Sequence, residues 1–321
     1  MAAKRRRTSS NFYDKKFWTI VLVGSLLATL CILITISSSM SKPFMPTWDD
    51  IFEAFGLTES AAPQPMDSEL QVHVIDVGNA DSILVMTQGK TLLIDAGEKS
   101  AGDTVVEYLK KHSVKRLDYV IATHADGDHI GGMKQVVESV EVGHYIMAFM
   151  PDGFTPTTKT YRNLLEALDK KGIKITEAKP GLSFALDEAT LDILGPVQDF
   201  EENNNQSVVC KVTFGAKKFL FMGDAEEEAE EALLLANTDL SADFLKVGHH
   251  GSNSSSTKKF LIAVKPTYAA ITCGEDNSYN HPHSNVLTRL RDVGATYYRS
   301  DIHGTIVATT DGAIISITTE K

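Results

Sequence analysis

The sequence of 321 residues contains three cysteines, and none of them has the CxxC spacing of a zinc-binding or redox motif. Cys31 lies within an apolar run, whereas Cys210 and Cys273 lie in segments with the composition of β-strands. We predict that all three are small buried apolar residues, because free cysteine is commonly buried. A disulfide between Cys210 and Cys273 is the alternative.

Positive charge is scarce outside the N-terminal region. The whole chain has a net charge of −11, while residues 1–16 carry six basic side chains and one acidic side chain, a net of +5 that leaves −16 for the rest. An acidic body disfavours tight non-specific binding to duplex nucleic acid, since such binding depends on neutralising phosphates with basic side chains.

Residues 17–37 form a run of 21 residues without a charge. As a helix this run would span roughly 30 Å, the thickness of the hydrocarbon core of a bilayer. The basic residues in front of it predict a cytoplasmic tail at 1–16, a single transmembrane anchor or uncleaved signal at 17–37, and an extracellular body. The alternative is a signal peptide cleaved at Ser37, Ser38 or Ser39, which would give a secreted protein.

The rest of the chain divides into a linker and one folded domain. Residues 38–68 are rich in serine and proline and bracket a short amphipathic stretch at 48–57, to which we assign no chemistry. Residues 69–321 alternate short β-rich runs with helical segments, in two successive sets of strands each followed by helices. This order predicts an α+β fold in which two sheets pack face to face with helices outside.

Four residues of the types that bind metals lie within six positions, directly after the apolar run at 119–122. They are His124, Asp126, Asp128 and His129. His124 and Asp126 are two apart and would share a face at the end of a strand, whereas Asp128 and His129 are adjacent where a helix begins and would point elsewhere. A buried strand that delivers imidazoles and carboxylates into a glycine-flanked turn predicts a metal site.

A second apolar strand ends in Gly223 and Asp224, immediately before a helical segment. Taken alone, an aspartate at this position is usually an N-cap. The alternative is a metal ligand, since the two oxygens of one carboxylate can each bind a cation.

Two further loops carry histidines. His249 and His250 follow an apolar strand, and because adjacent residues of an extended backbone face opposite ways, one could bind metal and the other substrate. The later segment at 277–283 (NSYNHPH) is either a donor-rich loop at the same site or a proline turn that caps the following helix.

Together these motifs resemble the metallo-β-lactamase-fold hydrolases. The resemblance rests on Asp95 in LLIDAG, the HxDxDH run at 124–129, Asp224 in FMGD and the histidines of LKVGHHGS. More narrowly, IDVGNADSILV, NNNQSVVC, HHGS and NSYNHPHSN resemble the extracellular hydrolase domain of ComEC-type DNA-uptake proteins and its stand-alone relatives. The resemblance covers about residues 70–318 and implies a four-layer αβ/βα sandwich with a di-metal site at the edge of the two sheets.

The resemblance also implies roles for individual residues. His124 and Asp126 would hold one metal ion, and Asp128, His129 and His250 would hold the second, with Asp224 bridging them. Asp95 and Asp81 would support the ligands from behind. The residues that would face the substrate are His249, Ser252, Asn277 and His281.

The first of these two metal sites departs from the superfamily pattern, which has HxHxDH and a further histidine before the bridging aspartate. Here Asp126 replaces the middle histidine, and the region of the further histidine contains residues 203–207 (NNNQS). Oxygen ligands favour harder ions, so we expect two divalent metal ions that are zinc or manganese.

These features predict a membrane-anchored extracellular metal-dependent hydrolase, with a phosphodiesterase or nuclease that acts on single-stranded DNA favoured. Asp128, Asp224 and His249 are the predicted catalytic residues. Small phosphodiesters or lactones of the cell wall or of lipid head groups are alternative substrates, and a non-catalytic tethered scaffold is an alternative function. With one apolar span the chain is not expected to act as a channel by itself, and no obligate protein partner is indicated.

Overall fold

Fifteen strands between residues 69 and 321 form two sheets. The first sheet has eight strands in the order β15-β14-β1-β2-β3-β4-β5-β6. Its strands are antiparallel from β15 to β3 and parallel from β3 to β6. Their bounds are β1 (Leu70–Val74), β2 (Ile83–Met86), β3 (Thr91–Ile94), β4 (Arg116–Ala122), β5 (Glu141–Met147), β6 (Ile175–Glu177), β14 (Ile306–Thr310) and β15 (Ile315–Thr319).

The second sheet has seven strands in the order β13-β12-β11-β10-β9-β8-β7. Its strands are antiparallel from β7 to β10 and parallel from β10 to β13. Their bounds are β7 (Ser183–Leu186), β8 (Ala189–Ile193), β9 (Cys210–Phe214), β10 (Lys217–Phe221), β11 (Phe244–Lys246), β12 (Tyr268–Ile271) and β13 (Thr296–Arg299).

Helices cover the outer face of each sheet. In residues 69–321 they are α1 (Gly102–Lys111), α2 (Gly127–Ile130), α3 (Met133–Ser139), α4 (Lys159–Lys170), α5 (Glu227–Leu235), α6 (Lys258–Val264), α7 (Ser284–Asp292) and α8 (Ser300–His303). One buried cluster, which includes Val72 and Phe219, fills the space between the sheets, and two others lie between a sheet and its helices. The predicted sandwich with helices outside is therefore confirmed, with an apolar core between each pair of layers. Burying one such side chain contributes about 1.5–3 kcal/mol to the stability of the fold.

The computed structural model describes residues 17, 21–25, 29–35, 46 and 69–321. Residues 1–62 and 63–321 form two separate units. The predicted tail at 1–16, most of the linker at 38–68 and part of the span at 17–37 lie outside the described residues. None of the helices formed by the described residues is long and apolar enough to cross a membrane.

The topology brings several loops to one edge of the sandwich. Strands β4, β10, β11 and β12 each belong to the parallel part of a sheet, and the sequence motifs follow directly after the last residues of these strands. Loops after the carboxyl ends of parallel strands lie at the same sheet edge, which is where α/β proteins commonly bind ligands. Cys210 and Cys273 are buried free cysteines, as predicted, and form no disulfide. The prediction was wrong for Cys31, which is exposed.

Two glycines allow the loop after β3 to approach the helices after β4. A Cβ atom on Gly131 would overlap the carbonyl oxygen of Gly127 and the amide nitrogen of Lys99, and one on Gly132 would overlap the carbonyl oxygen of Ala96. Backbone atoms in contact cannot move aside as a flexible side chain could. These glycines are therefore required by packing.

We expect Gly131→Ala to lower the free energy of unfolding by about 2 kcal/mol, because overpacking of this kind costs about 1–3 kcal/mol. Gly127→Ala is the matched control, since nothing lies within 4 Å of a Cβ at that position, and its effect should stay within about 0.5 kcal/mol. Denaturant unfolding of the full chain in EDTA measures both variants. Equal destabilisation by the two substitutions would contradict the packing argument.

Candidate metal centre

Four side chains from three loops converge at the sheet edge. Asp128 and His129 lie on α2 after β4, Asp224 follows β10, and His250 follows β11. One ligand atom from each of the four lies within 4.8 Å of the other three. Asp224 is central, with its Oδ1 3.2 Å from Nε2 of His129 and its Oδ2 3.5 Å from Nε2 of His250.

The two imidazoles in this cluster are oriented by hydrogen bonds on their far side. Nδ1 of His129 lies 2.7 Å from Oδ2 of Asp95, and Nδ1 of His250 lies 2.9 Å from the carbonyl oxygen of Thr272. Since a carbonyl or an ionised carboxylate only accepts, each Nδ1 carries a proton and donates it, so that in the neutral imidazole the lone pair lies on Nε2. Both Nε2 atoms, and Oδ1 of Asp224, are buried without a hydrogen-bond partner. These orphaned atoms fit a bound metal ion, because ligating histidines are usually held in this way.

The charges of the cluster also fit a cation. Burial disfavours the charged imidazole of His250, yet the carboxylates of Asp224, Asp128 and Asp81 raise its pKa to about 9. Burial likewise opposes the charged form of His129, but Asp224 and Asp95 raise its pKa well above the usual range. A centre that favours protonated histidines this strongly carries an excess of negative charge, which a divalent metal ion would neutralise.

His124 and Asp126 lie beside these four residues. Nε2 of His124 is 3.5 Å from Oδ2 of Asp126, and the His124 ring centroid is 4.1 Å from that of His129. Nε2 of His124 is also buried without a hydrogen-bond partner. The prediction that the two pairs point in different directions therefore needs correction, because the start of α2 turns the His129 ring back against His124.

Residues 203–207, where the superfamily has a further histidine, place neutral side chains beside His124 and Asp126. Nδ2 of Asn203 donates to Oδ1 of Asp126 at 2.7 Å. Oγ of Ser207 lies 3.3 Å from Nδ1 of His124 and accepts from the backbone nitrogen of Asp224 at 3.1 Å. Asn203 and Ser207 thus position the neighbouring ligands.

Asp95 ties the end of β3 to the end of β4. Its carboxylate is fully buried and accepts from the backbone nitrogen of Thr123 at 2.8 Å, from the Thr123 hydroxyl at 2.6 Å and from His129. These bonds hold the start of the 124–129 cluster, the supporting role that the resemblance implies for Asp95. Asp81, Asp95 and His129 form a second group of side chains of the types that bind metals. The hydrogen bond between Asp95 and Nδ1 of His129 already explains why these two side chains lie close together.

Asp81 forms a buried network behind His250. Its Oδ2 lies 2.8 Å from Nζ of Lys246, its Oδ1 accepts from the hydroxyl of Thr272 at 2.5 Å, and the same oxygen is 3.4 Å from Nδ1 of His250. Although burial opposes it, Lys246 lowers the pKa of the Asp81 carboxyl. Lys246 and Thr272 were not predicted as site residues. A lysine inside an apolar strand, four positions before a ligand histidine, was the available signal for Lys246.

His249 lies next to the four-residue cluster and bonds a carboxylate of its own. Its Nδ1 is 2.8 Å from Oε1 of Glu226, and its Nε2 is 3.7 Å from Oδ2 of Asp224. His249 and His250 have φ angles of 46° and 52°, and this left-handed backbone costs about 1–2 kcal/mol per residue. The two turns point the adjacent rings to different parts of the centre. Sequence reasoning missed Glu226, whose only signal was an acidic residue two positions after Asp224.

The predicted substrate-facing residues differ in position. Asn277 lines the cleft beside Asp128, but its amide is used within its own loop, where Nδ2 donates to the carbonyl oxygens of Gly274 and His281. His281 is 8% exposed, and its ring lies 5.5 Å from that of His249. Burial and the neighbouring imidazoles lower the pKa of His281 to about 4. The Ser252 hydroxyl is nearly buried and pairs with that of Ser254 at 2.9 Å.

Comparison with known proteins agrees with this geometry. A model of the metallo-beta-lactamase superfamily matches residues 75–275, the span that contains the four converging ligands. The chain belongs to the metallo-β-lactamase superfamily. Members of this superfamily are generally metal-dependent hydrolases, and the present chain has the candidate metal ligands that such chemistry needs.

Two curated relatives have names that refer to competence. ComE operon protein 3 of Bacillus subtilis (strain 168) is 33% identical over 260 residues, which cover 75% of this chain and 33% of that protein. Competence protein ComA of Neisseria gonorrhoeae is 31% identical over 243 residues, which cover 75% of this chain and 32% of that protein. The chain thus spans about a third of the length of these relatives. The crystal structure of CmlA, a diiron beta-hydroxylase from Streptomyces venezuelae, has a TM-score of 0.50 and 14% identity, covers 81% of this chain and 59% of that one, and shows a similar fold.

We expect Asp95→Asn to weaken metal binding by about 10- to 100-fold, because loss of the carboxylate behind His129 removes the group that fixes its orientation. Titration of the metal-free full chain with Zn²⁺ or Mn²⁺ against a chromogenic chelator measures the affinity. Asp169→Asn, on the exposed face of α4, is the control for loss of one charge and should bind as the wild type does. Equal affinities of the two variants would remove Asp95 from the support of the centre.

Proposed function

We propose that this protein is a phosphodiesterase that uses two divalent metal ions. The observation that carries the proposal is the convergence of Asp128, His129, Asp224 and His250. The Nε2 atoms of the two histidines are left without hydrogen-bond partners. Buried polar atoms without a partner are costly, so such an arrangement is retained where something else binds them.

The proposed ligand sets follow the positions of the side chains. Asp128, His129, His250 and one oxygen of Asp224 would hold one ion, while His124, Asp126 and the other oxygen of Asp224 would hold the second. The mixture of imidazole and carboxylate ligands suits zinc or manganese. When bound, two such ions lower the pKa of a shared water and stabilise the negative charge that develops at phosphorus.

His249 is suited to moving a proton in this reaction. Glu226 accepts the proton of Nδ1, which leaves Nε2 of His249 with a lone pair directed towards Asp224. An imidazole held in this orientation can accept a proton at Nε2 and, once protonated there, can donate that proton to a leaving oxygen, and such general acid–base catalysis contributes about 10²–10⁴ in rate. Burial and the neighbouring imidazoles lower the pKa of His281, which favours its neutral form. A neutral imidazole beside the reacting group would not form an ion pair with the anionic substrate in place of the metal ions.

Single-stranded DNA is the substrate class that we favour. The support is the similarity to two proteins with competence names and to the hydrolase domain of DNA-uptake proteins, an argument by analogy. A small phosphodiester is the second candidate, because the net charge of −16 outside residues 1–16 disfavours a long nucleic-acid groove.

We also propose that residues 17–37 anchor the protein in the membrane, with residues 1–16 cytoplasmic, residues 38–68 as a linker and the hydrolase domain at 69–321 outside the cell. The support is the uncharged run of 21 residues and the basic residues before it. An extracellular domain tethered in this way would meet phosphodiesters at the cell surface.

The function is tested with the full chain, supplied with Mn²⁺ or Zn²⁺, on single-stranded DNA and on a chromogenic phosphodiester. We expect turnover of at least one substrate. Asp224→Ala should lower both the affinity for metal and the rate of hydrolysis by more than about 100-fold, because it removes the residue shared by both ligand sets. In His249→Asn the new residue tolerates the left-handed backbone at this position. This variant should keep the metal while its kcat falls by about 10²–10⁴.

Turnover of neither substrate would contradict a phosphodiesterase. Less than one equivalent of bound metal, unchanged in Asp224→Ala, would instead favour a non-catalytic scaffold. Loss of metal in His249→Asn would assign His249 to metal binding rather than proton transfer.

The anchor is tested by intact mass spectrometry of the protein from the membrane fraction of producing cells. We expect a chain that retains residues 17–37, because a 21-residue apolar run is long for a cleaved signal. A mature chain that starts near Met40 would show cleavage and overturn the anchor.

A further inference from the structure

A cleft of about 510 Å³ opens beside the metal centre, a volume within the usual range for small-molecule sites. Asp128 of the four-residue cluster forms part of its wall. Lys99 and the loop residues Asn277, Ser278 and Tyr279 also line it. Asp128 therefore joins the metal centre to a cleft that Tyr279 lines.

Tyr279 presents an aromatic face to the cleft. Its side chain is 65% exposed although it is a large aromatic residue. On one side its ring stacks on that of His281, with centroids 5.5 Å apart and planes at 21°. The ring of His281 is stacked in turn on the ligand His250, at 6.2 Å and 27°. Tyr279 is thus the outermost member of a stack that runs from the metal centre to solvent.

Hydrogen bonds fix the backbone of the loop that carries this ring. Nδ2 of Asn277 donates to the carbonyl oxygens of Gly274 and His281, and Oδ1 of Asn277 accepts from the backbone nitrogen of His281 at 2.9 Å. Asn277 therefore clamps the segment that carries Tyr279 on both sides. An aromatic surface that is fixed in advance loses little conformational entropy on binding.

We propose that Tyr279 is a stacking platform for an unpaired nucleobase of a single-stranded nucleic acid whose phosphodiester lies at the metal centre. This inference rests on the proposed phosphodiesterase function and assigns a residue that would bind the base of its substrate. The exposed face of an aromatic ring binds any base, and such stacking is worth about 1–3 kcal/mol per base. Lys99, which also lines the cleft, would provide positive charge for the adjoining backbone phosphate.

An unpaired base fits these observations better than the other ligands. A base in a duplex is stacked on its neighbours and cannot reach the ring without being unstacked, which costs a few kcal/mol. A lipid chain would need a continuous apolar wall, whereas the cleft is lined by charged and amide side chains around Tyr279, including Asn79, Glu98 and Lys99. A stacking contact also requires little basic surface, in agreement with the acidic body of the protein.

The test compares two labelled strands by fluorescence anisotropy with the full chain loaded with Mn²⁺. One strand is a short thymine oligonucleotide and the other is an abasic strand of equal length, both with cleavage-resistant phosphorothioate links. The wild type should bind the thymine strand about 5- to 150-fold more tightly than the abasic strand, the range that corresponds to about 1–3 kcal/mol.

Two substitutions separate stacking from bulk and from the hydroxyl group. Tyr279→Phe keeps the ring and should keep the preference for the thymine strand. Tyr279→Leu keeps an apolar side chain of similar reach, and it should abolish the preference while binding the abasic strand as the wild type does. Thermal unfolding should be unchanged in both variants because the side chain is exposed.

The outcomes for the platform and for the proposed function are distinguishable. A preference that disappears in Tyr279→Leu supports the platform even if the wild type hydrolyses neither DNA nor a small phosphodiester, in which case only the proposed function fails. Hydrolysis of DNA by a wild type that shows no preference, or a preference that persists in Tyr279→Leu, overturns the platform and leaves the function intact. Absence of binding to both strands also overturns the platform.

Discussion

The buried carboxylate of Asp95 is the interaction on which the geometry of the centre depends. It carries no exposed surface, and it accepts hydrogen bonds from the backbone and hydroxyl group of Thr123 and from the ring of His129. One side chain at the end of β3 therefore sets the path of the chain as it leaves β4 and also the orientation of a candidate metal ligand. A buried ionised group needs several such partners, since an unpaired buried charge costs several kcal/mol.

The same demand explains why the supporting residues come from different strands. Asp81 is paired with Lys246 and bonded to Thr272, and all three lie behind His250. Glu226 performs the corresponding role for His249. Three histidines, His129, His249 and His250, are thus each bonded at Nδ1 by a group from another part of the chain, and each has its Nε2 within 3.7 Å of Asp224. This common pattern makes the centre a preorganised cation site and limits the number of arrangements it can adopt.

The two sides of the centre differ in character. On the side of His124 and Asp126, neutral groups such as Asn203 and Ser207 stand beside the ligands, and Asp126 remains half-exposed. The side of His250 is fully buried and continues through His281 to Tyr279 as a stack of rings. The more polar and more open position thus lies on one side of the centre, and a stack of rings that reaches solvent lies on the other.

The order of strand-like and helical segments predicted the two-sheet fold, although the short helix α8 (Ser300–His303) was not predicted. Three strands have weak sequence signals. In β5 the first half, with Gly143 and His144, is largely exposed while the second half is buried, so the strand shows neither a continuous apolar run nor regular alternation. Strands β7 and β13 are short edge strands whose side chains are mostly half-exposed or exposed, and such strands have weak periodicity.

The sequence by itself determined which residue types could bind metal, because the HxDxDH run, Gly-Asp at 223–224 and the paired histidines each follow a recognisable buried strand. It left open which of His249 and His250 joins the cluster, since the expected alternation assumes an extended backbone and both residues are in fact left-handed. The partners Glu226, Lys246 and Thr272 and the stack ending at Tyr279 were decided by the tertiary structure alone. The contacts of Asp81 with Lys246, of Glu226 with His249 and of His250 with His281 join distant parts of the sequence, and only the tertiary fold brings these side chains within hydrogen-bonding or stacking distance.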